Sequence, residues 1–357
     1  SCLSRMELTM SNPSIRPRLR DLGRSIGRFA PGALNAITDV AGVLVGHRTV
    51  IEGDRIRTGA TAILPHGGNL FQDKVPAGFA VLNGFGKFAG STQVEELGEL
   101  ESPIVLTNTL ATGRAIEAIH THLLGLAGNE RVVSINAVVG ETNDSRLNDI
   151  RAGRPTAREI GEAIAAASSG PVAEGAVGAG AGTVAFGLKG GIGTASRVVE
   201  VKGYGAATLG VLVQANYGGD LRIDGVPVET MTTTDVDGSI VLILATDAPL
   251  CPRNLKRLAA RSFGGLARTG AALSNGSGDY ALAFTTAGSL RLTPERRAGV
   301  VPFGGIGNDQ ISPLFEAAIE AAEEAILNAL LAAGSMDGFD AGRMKPSRFE
   351  GLVLPPV

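Results

Sequence analysis

The sequence predicts one layered α/β domain. Short apolar runs ending at glycines recur along the chain, and a few longer segments carry helical periodicity. No linker-like stretch divides the chain into halves. The 357 residues are 44% hydrophobic, ample for a large buried core. Fifty glycines, without a triplet repeat or a Ser/Gln bias, point to tight turns and closely approaching backbones rather than a collagen-like or disordered chain.

In chain order, 35–47 (NAITDVAGVLVGH) reads as strand and turn, and 58–64 (TGATAIL) and 77–83 (AGFAVLN) read as short strands. Residues 104–107 (IVLT) form another strand and lead to a helical pattern over 113–124. The run 132–139 (VVSINAVV) reads as a buried strand entering the polar loop GETNDS, and 158–168 as a short Ala-rich helix. A very Gly-rich stretch, 174–197, precedes a strand at 206–214 (AATLGVLVQ). Ser239 opens the apolar run 240–245 (IVLILA), the pattern of a strand covered on both faces. Pro252 starts a helix with Leu255, Leu258, Ala259 and Ser262 on one side and Lys256, Arg257 and Arg261 mostly opposite. A strand returns at 280–286. The longest helix begins at Pro313 behind the N-cap candidate Ser312, and Gly334 ends it.

Several function classes fall away. The formal charge of −3 is small and the basic residues are dispersed, so neither a nucleic-acid partner nor an anionic membrane surface is expected. Two cysteines, Cys2 and Cys251, make a structural disulfide unexpected, and the first twenty residues carry no apolar signal-peptide core. With no span for a bilayer, the expected location is the cytoplasm. Phosphate-loop, zinc-protease and nucleophile-elbow motifs are absent. His120 and His122 lie two apart in a helical pattern, which points their rings away from each other, so no metal site is expected. The run Gly178-Ala-Gly-Ala-Gly182 lacks the full dinucleotide-loop spacing and reads as close backbone packing; no cofactor is expected.

Ser239 follows Gly238 at the head of the buried run. If the bond between them were cut, Ser239 would carry both a hydroxyl and an α-amine. With a reference pKa of roughly 7.7–8, that amine can accept the hydroxyl proton without a histidine. Many serines begin strands, so position alone favours an ordinary structural role and does not decide for the catalytic one.

The run DGSIVLILATDAPL at 237–250 resembles the processing site of the L-aminopeptidase/D-esterase family, which includes the β-peptidyl aminopeptidases. LNAITDVAGVLVGH (34–47), TGATAILPHG (58–67), VLNGFGKFAG (81–90), PIVLTNT (103–109), VVGETND (138–144) and LND (147–149) are similar to that family in order. So are KGGIGTASR (189–197), GVLVQANYG (210–218), RTG (268–270), SGD (277–279) and LFEAAIEAAEEAILNAL (314–330). The resemblance runs from about Arg18 to Gly338.

It implies a four-layered α/β/β/α sandwich of the N-terminal-nucleophile hydrolase kind. It implies one self-processing domain, 1–357, cut into 1–238 and 239–357, with 1–17 a loose N-terminus and the processed units assembled as a homo-oligomer. Gly238 and Ser239 form the processing site, with Ser239 as nucleophile and its amine as base. Ser277 and Asp279 orient that amine and hydroxyl, and Asn216 contributes to the oxyanion hole. Glu141 is the candidate for binding the free amino group of a small peptide, amino-acid amide or ester substrate; a loop-capping role for it stays open. The sequence departs from the family in a short connection between Asn216 and Ser239, in Asn143 where some members place a tyrosine nearby, and in Lys87 where relatives often have Glu. Asp279 is one methylene shorter than the Glu of some members. The fold is shared with ornithine acetyltransferase, which makes an acyltransferase the alternative enzyme, and a non-catalytic binding relative the alternative of another class.

Overall fold

The computed structural model describes residues 16–229, 238–301 and 304–357. The strands of its two main sheets are β1 (Leu44–Glu52), β2 (Ile56–Leu64), β3 (Val75–Gly84), β4 (Phe88–Ala89), β5 (Glu99–Leu100), β6 (Ile104–Asn108), β7 (Val138–Thr142), β8 (Gly191–Val201), β9 (Gly205–Asn216), β10 (Ser239–Thr246) and β11 (Gly278–Thr285). The helices are α1 (Ser91–Leu97), α2 (Thr112–Leu124), α3 (Ala157–Ala165), α4 (Pro252–Arg268), α5 (Pro294–Arg297) and α6 (Ser312–Ala332).

Side-chain alternation along β10 explains the layering. Ile240, Leu242 and Leu244 face a core shared with α4 and α6, while Val241, Ile243 and Ala245 face a second core between the sheets. β10 therefore needs a partner layer on each side, as its unbroken apolar run predicts. It lies in a six-stranded sheet of order β8-β9-β10-β11-β3-β5, and the facing sheet runs β1-β2-β6-β7-β4. Pairings within both are antiparallel except β6 with β7 and β10 with β11. A third core packs α2 and α3 on the outer face of the five-stranded sheet through Ala62, Val105, Val139, Ile119 and Ile160. Three cores between four layers make the expected α/β/β/α sandwich.

Two elements differ from the sequence reading. Only Val138 and Val139 of the 132–139 run are in a strand, and Val133 is 98% exposed. β6 begins after Pro103 and pairs Ile104 with Val138, so its ladder offers nothing to the residues before. Conversely, β8 begins within the Gly-rich stretch. A Cβ on Gly193 would stand 1.9 Å from the Ala325 carbonyl oxygen, so glycine lets α6 rest on the strand backbone. Gly178, Gly180 and Gly182 likewise lie against neighbouring chain, the packing role expected of that run. Cys2 and most of the predicted loose N-terminus lie outside the described residues, but Arg16 donates to the Leu331 and Leu352 carbonyls.

α6 is enclosed on nearly every side and carries charge into the interior. Arg197 of β8, fully buried, donates to Glu324 at 2.6 Å and Glu320 at 3.2 Å. Burial would raise the Glu324 carboxyl, yet Arg197, Arg20 and Asn35 hold it below the ordinary range. Replacing Arg197 by Met removes the cation that the two carboxylates share, leaving Glu324 to Arg20 and Asn35 and Glu320 to the Arg28 and Phe29 N–H groups, and the expected loss is about 3 kcal/mol in denaturant unfolding.

His47 of β1 bonds Thr61 through Nδ1, and burial pushes it down from 6.5 to about 4. The unfolded chain therefore takes up a proton that the folded one refuses. Stability held above about pH 6.5 is lost as pH falls towards 4, by about 3 kcal/mol in all. His47→Gln should flatten this stretch of the stability–pH curve.

Candidate active site

Three adjacent strand ends assemble the site. In the antiparallel pairing of β9 with β10, Asn216 stands opposite Ser239; in the parallel pairing of β10 with β11, Ser239 stands opposite Gly278. Period-two alternation carries the inward direction of Leu212 and Gln214 to Asn216, and that of Ile243 and Val241 to Ser239. Both face the opposite sheet. Gln214 ties the sheets together here, its amide donating to the Thr107 and Ala179 carbonyls at 3.0 Å each.

Ser239 is buried, and its Oγ accepts from the Gly278 N–H at 3.1 Å. The same N–H lies 3.3 Å from the Gly238 carbonyl oxygen. On either side of Gly278, Ser277 Oγ donates to Asp279 Oδ1 at 2.6 Å, while Asp279 Oδ2 is buried without a hydrogen-bond partner. Burial pushes the Asp279 carboxyl up, and the Ser277 bond opposes the rise. Asn83 braces the preceding turn by donating to the carbonyls of Ser274, Asn275 and Ser277. At Gly238 a Cβ would stand 2.2 Å from the Asn216 carbonyl oxygen, so only glycine fits before Ser239 without moving β9.

Asn216 has its amide oriented by two bonds. Oδ1 accepts from the Val184 N–H at 2.9 Å, and Nδ2 donates to the Asn143 carbonyl at 3.1 Å. Nδ2 carries two N–H groups, so one remains for the cleft.

Asn216, Gly238 and Ser239 line a cleft of about 300 Å³ together with Glu141, Asn143 and Lys87. A larger groove of about 780 Å³, between Phe79, Thr92 and Lys256, contains none of the candidate residues. Glu141, at the end of β7, is buried. Oε1 accepts from the Lys87 N–H at 2.9 Å and Oε2 from the Thr109 hydroxyl. It therefore caps the 85–88 turn, while its carboxylate keeps lone pairs for a further donor. Lys87 has an exposed side chain and braces Glu141 through its backbone.

The fold thus brings Ser239, Gly238, Asn216, Ser277, Asp279 and Glu141 into one neighbourhood, with Ser277 and Asp279 behind the lining. Residues 230–237 of the short connection lie outside the described residues. Sequence reading did not single out Val184, Thr109, Asn83 or Tyr280. Thr109 and Asn83 lay within the quoted motifs, whereas Val184 acts through its backbone and left no signal. No tyrosine is near Asn143 in sequence, but a Cβ on Gly86 would meet both the Tyr280 hydroxyl, at 3.1 Å, and Glu141 Oε1, at 3.3 Å. A distant strand therefore sets a phenol beside the carboxylate. Burial raises the Tyr280 hydroxyl, against a bond to the Gly86 backbone.

The model for peptidase family S58 matches residues 35–344. The chain is 42% identical to the β-peptidyl aminopeptidase BapA of Sphingosinicella microcystinivorans, over 90% of this chain and 87% of that protein. It is similar to the solved structure of a Burkholderia sp. β-aminopeptidase, with 44% identity, a TM-score of 0.85 and coverage of 94% of this chain and 96% of that one. The L-aminopeptidase D-Ala-esterase/amidase of Ochrobactrum anthropi, described as a prototype of the serine aminopeptidases and a variant of the Ntn hydrolase fold, is 36% identical with a TM-score of 0.84, covering 95% of this chain and 96% of that one. With its family match spanning most of the sequence and its four layers superposing on those structures, this chain belongs to peptidase family S58 and is an aminopeptidase with that variant of the Ntn hydrolase fold.

Proposed function

We propose that the chain is made as one precursor that cuts itself between Gly238 and Ser239. The freed Ser239 then hydrolyses N-terminal aminoacyl amides, peptides or esters. The observation that carries this reading is the Gly278 N–H, within reach of both the Gly238 carbonyl oxygen and Ser239 Oγ at the wall of one cleft.

In self-cleavage, Ser239 Oγ attacks the Gly238 carbonyl carbon, and the Gly278 N–H steadies the charge growing on its oxygen. The C–N bond breaks as the acyl group passes to Oγ, and the nitrogen takes the proton that Oγ gives up and becomes the Ser239 α-amine. Water then hydrolyses the ester, releasing a Gly238 carboxylate and the Ser239 hydroxyl. Gly238 suits the step because no side chain shields its carbonyl.

In turnover, the Ser239 amine takes the Oγ proton as Oγ attacks the substrate carbonyl, and returns it to the leaving amine or alcohol. The remaining Asn216 N–H donates to the oxyanion. Water releases the acid and restores the serine. Ser277 and Asp279 hold the amine: the open lone pairs of Asp279 Oδ2 suit a donor that exists only after cleavage. Glu141, braced by Lys87 and Thr109, takes the substrate's ammonium through a charge-assisted bond, and so requires a free N-terminus. The names of the relatives make β-aminoacyl substrates the first to assay.

We propose a cytoplasmic location, which the low cysteine content suits; among the described residues no helix is long and apolar enough to cross a membrane. A homo-oligomer of processed units is supported by the exposure of Val81, Leu82 and Phe85, at 50%, 44% and 65%.

Intact mass and N-terminal sequencing test the cleavage. Wild type should give two fragments, the smaller starting Ser-Ile-Val-Leu, while Ser239→Ala stays whole and inactive. An uncut wild type with full activity would sink the mechanism. Glu141→Gln should fold, but its preference for free over N-acetylated aminoacyl amides, read as a kcat/KM ratio, should shrink by about 10–100-fold, the worth of one charge-assisted bond. An unchanged ratio would leave Glu141 as a loop cap only.

A further inference from the structure

Lys189 carries a charged group into the interior that the mechanism above leaves unused. It is fully buried, and its Nζ donates to the carbonyls of Gly180 at 2.8 Å, Thr183 at 3.0 Å and Gly190 at 2.8 Å. Three acceptors call for three N–H groups, which only the ammonium supplies. Burial pushes the Lys189 pKa down to about 7, and the charge of Asp144 opposes the fall. A buried ammonium is expensive to desolvate, and loop anchoring alone could be served by neutral donors.

The connection to the site is covalent. The Thr183 carbonyl and the Val184 N–H are the two ends of one peptide group. Lys189 holds the first; the second donates to Asn216 Oδ1 at 2.9 Å. A cation on the carbonyl strengthens the N–H of the same peptide as a donor. That donor in turn polarises the Asn216 amide and makes its Nδ2–H groups more positive. Bonds in such a chain reinforce one another where water is excluded. The supporting hairpin is short: Val184–Ala185 pairs with Leu188–Lys189, setting Val184 opposite Lys189. It lies hard against the sheet, since a Cβ on Gly190 would stand 2.4 Å from the Ala215 carbonyl oxygen.

We propose that Lys189 is a positioning residue of the oxyanion hole, fixing and polarising the Asn216 amide through the peptide that joins Thr183 to Val184. This rests on the assignment of Asn216 to the oxyanion. Its action belongs to the transition state, so it supports kcat and leaves KM alone.

The test is a double-mutant cycle between Lys189 and Asn216 in the full chain, with an aminoacyl p-nitroanilide as substrate. Rates are counted per processed chain by intact mass, and folding is read by Tm. Lys189→Met should lower kcat by about 10–50-fold, less than the about 10²–10³-fold expected of Asn216→Ala, with KM within about twofold. Lys189→Gln, which keeps donors without the charge, should fall between Met and wild type. Once Asn216 is Ala, Lys189→Met should lower kcat by less than about twofold more, because the relay has lost its last member. A merely structural lysine would instead multiply its effect with that of Asn216→Ala, and this outcome overturns the proposal. So would folded Lys189 variants with kcat within about twofold of wild type, or the failure of both variants to fold. Full activity in Asn216→Ala alone would fail the oxyanion assignment itself, a result distinct from these.

Discussion

The register of three neighbouring strands is the constraint on which the site depends. β10 is covered on both faces, so it cannot slip by one residue without turning Ile240, Leu242 and Leu244 out of the helix-facing core and Val241 and Ile243 out of the core between the sheets. Locked in this way, β10 presents Ser239 opposite Asn216 on one side and Gly278 on the other. The apolar side chains thereby hold three polar positions that contribute little to stability themselves. Steric limits complete the alignment, because Gly238 lies too close to the Asn216 backbone for a side chain.

Charge is buried at two depths for different reasons. Around α6, Arg197, Arg20, Glu320 and Glu324 neutralise one another and pin the N-terminal segment to the helix through Asn35 and the Arg28 N–H. Around the cleft, the buried charges meet mostly dipoles. Lys189 faces three carbonyls, and Asp144 accepts from Thr58 and Asn148. Burial pushes the Asp144 carboxyl up to about 7, against those two bonds. Lys189 and Asp144 anchor the segments that supply Val184 and Asn143 to the two ends of the Asn216 amide, so its orientation is settled before any substrate arrives.

Much of this was legible from residue patterns. The apolar run after Ser239 predicted a doubly covered strand, Pro252 placed the start of α4, and Pro313 with Gly334 bracketed α6. The Gly-rich stretch hid β8, because glycine reads as turn when it also serves where a helix rests on a strand. The 132–139 run misled in the other direction, since strand propensity is only realised where a neighbour's ladder continues. Within the site, Ser277, Asp279, Asn216 and Glu141 came from resemblance along the chain. Val184, Lys189 and Tyr280 escaped because their parts are played through a backbone peptide, a buried ammonium and a strand far away in sequence.

The Gly238–Ser239 pair shows where the division falls. Local composition alone determined that a serine follows a glycine at the head of a buried strand, and that the cut chain would carry its own base. Only the tertiary structure decided which N–H reaches both the Gly238 carbonyl and the Ser239 hydroxyl, which way the Asn216 amide points, and which groups brace Glu141. Period and punctuation are properties of neighbouring residues and survive in a one-dimensional pattern. Hydrogen-bond direction across strands depends on register and packing among distant segments, and no local pattern of residues encodes it.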